Sequence, residues 1–134
     1  MPAPIRLLIV DDHAPTRAGL RMRLAREADL QVVAETGDVQ SGLALARQHQ
    51  PDLVLVDLLL PDGTGIDFIQ QLRLHAPRSA ALILSMEDSR LTRSQAAAAG
   101  VAAFVGKQEP VHVLLEAIRR LARGPTSYHQ ASLS

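Results

Sequence analysis

Five short apolar runs, spread along the chain, constrain its fold more than any other feature: residues 7–10, 32–34, 53–56, 81–84 and 101–105. Each is too short for a helix, and each is continuous instead of alternating. Strands read this way when both faces of a parallel sheet are covered. The segments between them carry helical period. Val111, Leu114, Leu115, Ile118, Leu121 and Ala122 form an apolar stripe, opened by Pro110 and closed by Gly124-Pro125. Val39, Leu43 and Ala46 form a second, capped by Asp38. Ile66, Ile69 and Leu72 form a third, with Thr64 and Asp67 at capping-box spacing. Leu20 and Leu24, with Pro15 upstream, mark the first helix, whereas the fourth, over residues 89–99, is alanine-rich with no clear apolar face. A βα unit repeated five times predicts right-handed crossovers and a doubly wound parallel sheet. The 134 residues suit one such domain over residues 1–124, with the polar, aperiodic residues 125–134 as a tail or linker.

Several function classes are disfavoured. The absence of cysteine removes disulfides and thiolate metal sites. Fourteen basic residues balance fourteen acidic ones and aromatics are 2%, a poor match for a dedicated binder of nucleic acid or anionic membrane. No apolar run approaches the roughly 18 residues that span a bilayer. Residues 1–6 lack the apolar region of a signal peptide, so a soluble cytoplasmic protein is expected.

In an open α/β sheet, ligands bind beyond the carboxyl ends of the strands, near the switch point in strand order. The runs deliver Asp11-Asp12, Asp57, Ser85 and, through Phe104, Lys107 to those ends. Singly, each has a plain structural explanation as a helix cap, a turn residue or a solvated cation. Jointly, at four of five strand ends, they describe a site. Three gathered carboxylates repel one another and call for a compensating cation. Magnesium fits, being hard, oxygen-loving and usually held by one or two carboxylates with waters and phosphate. Such a centre suits transfer of a phosphoryl group onto a carboxylate nucleophile, with Lys107 and the Ser85 hydroxyl serving phosphoryl oxygens. His13 is a poor magnesium ligand, and a structural role is expected for it. His49, His75, His112 and His129 show no metal-ligand spacing.

The ordered set Leu8-Ile9-Val10-Asp11-Asp12-His13, Pro51 to Asp57, Leu60-Pro61-Asp62-Gly63 with Gly65, Ser85, Ala99-Gly100 and Phe104…Lys107 resembles the receiver domains of bacterial two-component response regulators over about residues 5–123. The resemblance implies a flavodoxin-like five-stranded sheet of order 2-1-3-4-5. It implies Asp57 as phosphoacceptor, Asp12 as a direct magnesium ligand, Asp11 acting through water, and the Leu59 backbone carbonyl as a further ligand. Lys107 resembles the family's phosphate-binding lysine, while Ser85 and Phe104 resemble its switch pair. Implied partners are a sensor histidine kinase and a second copy of the chain on phosphorylation. The protein would be a signalling switch, not an enzyme, that assists its own phosphorylation and dephosphorylation. Asp11-Asp12-His13 and residues 37–43 look most like receivers of regulators with a LuxR-type helix-turn-helix. DNA would then be reached only through an output domain that this chain does not contain; a stand-alone receiver is the alternative.

Two residues depart from the family pattern. Met86 follows Ser85 where a small side chain is usual; being flexible, it either crowds the phosphate site, which is the expectation, or folds aside and stays out of it. Gln108 follows Lys107 where many receivers have proline, so no cis peptide is expected there. An aspartyl-phosphate phosphohydrolase needs a second acid two residues after its nucleophile, yet Asp11, Asp12 and Asp57 are followed there by His13, Ala14 and Leu59. A flavodoxin-like cofactor binder would need Ser, Thr and Gly in place of residues 11–14.

Overall fold

The apolar runs become strands β1 (Ile5–Val10), β2 (Leu30–Thr36), β3 (Leu53–Val56), β4 (Ala80–Ser85) and β5 (Ala103–Gly106). They form one parallel sheet ordered β2-β1-β3-β4-β5. Helices α1 (Ala14–Leu24), α2 (Val39–His49), α3 (Gly65–His75), α4 (Arg90–Ala98) and α5 (Val111–Arg123) alternate with them. This is the flavodoxin-like topology expected from the sequence. The computed structural model describes residues 3–87 and 89–123; the expected helix stop at Gly124-Pro125 and the 125–134 tail lie outside the described residues. Among the described residues no helix is long and apolar enough to cross a membrane.

The runs are continuous because neighbouring residues on a strand serve opposite faces. Leu8, Val10, Val54, Val56, Ile83 and Phe104 face one core, completed by Val39, Leu43, Phe68, Ile69, Leu72 and Ala96 from α2, α3 and α4. Leu7, Ile9, Leu53, Leu55, Leu82 and Val105 face the other, under Leu24 of α1 and Leu114, Ile118 and Leu121 of α5. Fully burying one such side chain stabilises by about 1.5–3 kcal/mol, so both layers are needed. In the third helix Ile69 and Leu72 are buried as expected, while Phe68, outside the expected stripe, is fully buried and Ile66 only partly.

Helix starts follow the capping residues. Asp38 accepts from the Ser41 amide at 2.7 Å, Thr64 and Asp67 form the capping box, and Ser89 accepts from the Thr92 amide at 3.1 Å. A further cap comes from across the chain. Asp62 accepts from the Val39 amide at 2.8 Å and the Gln40 amide at 3.1 Å. Those bonds, the Val39 one foremost, hold the Asp62 carboxyl below its ordinary value. A carboxylate with a depressed folded pKa stabilises above its ordinary pKa and loses that effect as pH falls through the folded one. Asp62→Ala should therefore lower the urea midpoint at neutral pH. The gap to the parent should close as pH drops from the ordinary 3.8 through the lower folded value. A gap that persists unchanged in acid would sink this account.

The vague face of the fourth helix has a cause. Arg93 and Ala96 are its buried residues, so an arginine stands where an apolar side chain is normally found.

Candidate functional site

Register brings the strand ends together. Val10 pairs with Val56, and Val56 with Ile83, so Asp11 and Asp57 emerge side by side. The Asp57 amide donates to the Val10 carbonyl at 2.9 Å, and the Asp11 amide to the Thr36 carbonyl at 2.9 Å. Oxygens of Asp11, Asp12 and Asp57 all lie within 4.8 Å of one another. Asp11 is buried, Asp57 half-buried and Asp12 exposed, so the cluster is open on the Asp12 side.

Lys107 enters from the loop after β5, its amide donating to the Ser85 carbonyl at 2.8 Å. Its Nζ donates to Asp11 Oδ2 at 2.8 Å and to Asp57 Oδ2 at 3.0 Å. Burial alone would lower the pKa of this ammonium. The hydrogen bonds and charges of Asp11 and Asp57 outweigh burial and hold it above its ordinary value. Lys107 thus stays cationic through neutral pH. One ammonium against three carboxylates leaves an excess of two negative charges, all on hard oxygen donors. That donor set fits a divalent, oxygen-seeking cation such as magnesium.

Asp11 is held from two further sides. Its Oδ1 accepts from the His13 amide at 2.9 Å, and its carbonyl accepts from Arg17 Nη1 at 2.6 Å. Arg17 Nε in turn lies 3.4 Å from Glu35 Oε1. No sequence pattern pointed to Arg17, because its contact to Asp11 is with a backbone carbonyl and its carboxylate partner stands 18 residues away. His13 precedes α1, with Nδ1 2.6 Å from Thr16 Oγ1.

Ser85 ends β4 in a buried position opposite Gly106, and its Oγ accepts from the Glu87 amide at 3.0 Å. Phe104 is fully buried, pairs with Ile83 and packs beneath α4, inside the core instead of at the acid cluster. Leu59 follows Asp57 by two residues, in a short antiparallel ladder with Thr64, and its side chain is exposed. Met86 departs from the expectation of crowding. It is 69% exposed and lines an open cleft of about 420 Å³ with Thr16, Leu20, Lys107 and Val111, so it stands at the rim. Among the described residues every peptide bond is trans, in keeping with Gln108 at the position after Lys107.

The short ladder returns the chain so that α3 starts directly against Asp57. The Gly65 amide donates to the Leu58 carbonyl at 2.7 Å. A Cβ on Gly65 would lie 2.5 Å from the Asp57 carbonyl oxygen, a backbone atom that cannot swing away. Gly65→Ala should therefore cost about 1–3 kcal/mol and displace Asp57. Urea unfolding checks the first effect, and the Asp57 amide shift the second. An unchanged midpoint would contradict the contact.

Residues 7–119 match the family model described as response regulator receiver domain. The chain is 32% identical over 126 residues to the response regulator protein VraR of Staphylococcus aureus, covering 92% of this chain. It spans 59% of the length of that relative. The signal receiver domain of NarL from Mycobacterium tuberculosis superposes with a TM-score of 0.87 at 27% identity, covering 92% of this chain and all of that one. A LuxR-family two-component response regulator from Aurantimonas sp. superposes with a TM-score of 0.87 at 31% identity, covering 92% of this chain and 89% of that one.

Proposed function

The chain belongs to the response regulator receiver domain family of two-component signalling proteins, and from that premise we propose that Asp57 is the carboxylate that takes the phosphoryl group. The observation that carries this reading is the shared grip of Lys107 on Asp11 and Asp57, beside a third carboxylate. An Asp57 oxygen attacks phosphorus, forming an acyl phosphate, while the phosphorus–nitrogen bond of a kinase phosphohistidine breaks and its electron pair stays on the imidazole. Asp12 and Asp57, the Leu59 backbone carbonyl, and Asp11 through water would hold magnesium. When bound, the metal neutralises charge on the phosphoryl oxygens. Lys107 exchanges its Asp57 oxygen for a phosphoryl oxygen and keeps Asp11 as its anchor. The Ser85 hydroxyl donates to another phosphoryl oxygen, giving up the Glu87 amide contact.

The same reading takes Ser85 and Phe104 as a switch that reshapes the face formed by α4, β5 and α5, a two-state shift biased by the hydroxyl–phosphoryl bond. That face would govern dimerisation and, in a longer protein of the VraR or LuxR-family type, a DNA-binding output. The protein would work in the cytoplasm, opposite a sensor histidine kinase. Its chemistry is limited to assisting its own phosphorylation and dephosphorylation. The test is intact-mass analysis after mixing with acetyl phosphate. A gain of one phosphoryl group in the presence of magnesium, removed by chelation, is expected. No gain under either condition would overturn the assignment.

A further inference from the structure

A buried arginine is costly unless its charge finds a partner. Arg93, the fourth residue of α4, is 7% exposed, and its guanidinium carbon lies 4.7 Å from the centroid of the Phe104 ring. Its Nη1 also donates to the Phe104 carbonyl at 3.4 Å. One side chain thus holds both the ring and the backbone of one β5 residue. Ala96, three residues on and on the same helix face, is small and belongs with Ile83, Val101 and Phe104 to the core around that ring.

We propose that Arg93 is a positioning residue that holds the Phe104 ring in its buried place and couples its orientation to α4. The attraction exists only while the ring presents its face to the cation. The carbonyl contact keeps the guanidinium in register with β5. A shift of α4 along β5 therefore drags the ring or breaks the contact, and a turn of the ring loosens α4. A leucine or methionine at position 93 would fill space without preferring the ring face. For its signalling consequence the inference rests on Phe104 being the switch aromatic. The contact itself does not.

The chain has two phenylalanines, Phe68 and Phe104, both fully buried, so fluorophenylalanine labelling yields two ¹⁹F lines with Phe68 as internal control. Phe68→Leu and Phe104→Leu assign them. Arg93→Met removes the charge at similar length. It should move the Phe104 line and make it sensitive to a soluble paramagnetic probe, leaving the Phe68 line in place. Arg93→Lys, which keeps a cation, should move it less. An unmoved Phe104 line, or equal movement of both lines, overturns the proposal. A second measurement needs no change at position 93: ring current should shift the Arg93 guanidinium protons upfield, and Phe104→Leu should abolish that shift. Ordinary guanidinium shifts in the parent protein would overturn it as well. Beryllofluoride with magnesium separates this inference from the functional reading. A Phe104 line moved by Arg93→Met but unmoved by beryllofluoride upholds the Arg93 contact and removes the switch role.

Discussion

Replacing Asp57 by asparagine should abolish the magnesium-dependent phosphoryl gain altogether while leaving the domain folded. The amide is nearly isosteric but is not a nucleophile, so the step is lost at its first atom. Packing should survive because Lys107 keeps its 2.8 Å bond to Asp11. Removing one of three carboxylates also eases their repulsion in metal-free buffer. Circular dichroism should report an unchanged fold and mass analysis no adduct. An adduct formed at the parent's rate would move the acceptor to Asp11 or Asp12.

Lys107→Met should have the next largest effect, and on two readouts. Nζ lies within 3.0 Å of both Asp11 and Asp57, and all three side chains are at most 15% exposed. Deleting the cation leaves the carboxylates to face one another with no compensation. Breaking a fully buried pair costs about 3–5 kcal/mol, but this cluster opens toward Asp12, so about 2 kcal/mol is expected at neutral pH without metal. Magnesium should restore stability more in the variant than in the parent, because the ammonium no longer competes for the same oxygens. At a hundredfold excess over its dissociation constant a ligand contributes about 2.7 kcal/mol, enough to offset the loss. Phosphoryl uptake should still fall, roughly a hundredfold, as one fixed positive donor is missing. Thermal melts with and without magnesium check the first part, and an equal magnesium response in both proteins would contradict it.

Much of the fold was legible because a parallel sheet buried on both faces leaves a strong trace: uninterrupted apolar runs. The acids and Lys107 were legible for a related reason, since each stands one or two residues after a strand and must emerge at the sheet's carboxyl edge. The traces fail where a partner is remote. Asp62 sits in a loop 23 residues from Val39, yet it caps α2. Gln50 ends that helix in a left-handed conformation, φ 45°, without the glycine that usually marks such a stop. On α3, Ile69 and Leu72 were legible, but Phe68 was missed because it and Ile66 are both strongly apolar, and only packing separates them. Arg93 was unreadable in principle: an arginine in a helix signals solvent unless the ring beneath it is known. Of the two places open to Met86, the family pattern favoured the phosphate site, whereas the open cleft beside it lets the side chain stand at the rim.

The second of the two cores has a bearing on how the chain is made. Leu7 and Ile9, in the first strand, lie under Leu114, Ile118 and Leu121, in the last helix. Arg119 adds a clasp, reaching Glu27 at 2.7 Å and Asp29 at 2.8 Å in the segment between α1 and β2. During synthesis the opposite layer can close once β5, which carries Phe104, has left the ribosome. The α1 side keeps an oily half-covered sheet until α5 follows. At about 5–20 residues per second that interval lasts a second or more, long enough for a chaperone to find it. The last helix, farthest in sequence from the acid cluster, therefore sets the moment at which the nascent domain becomes safe from aggregation.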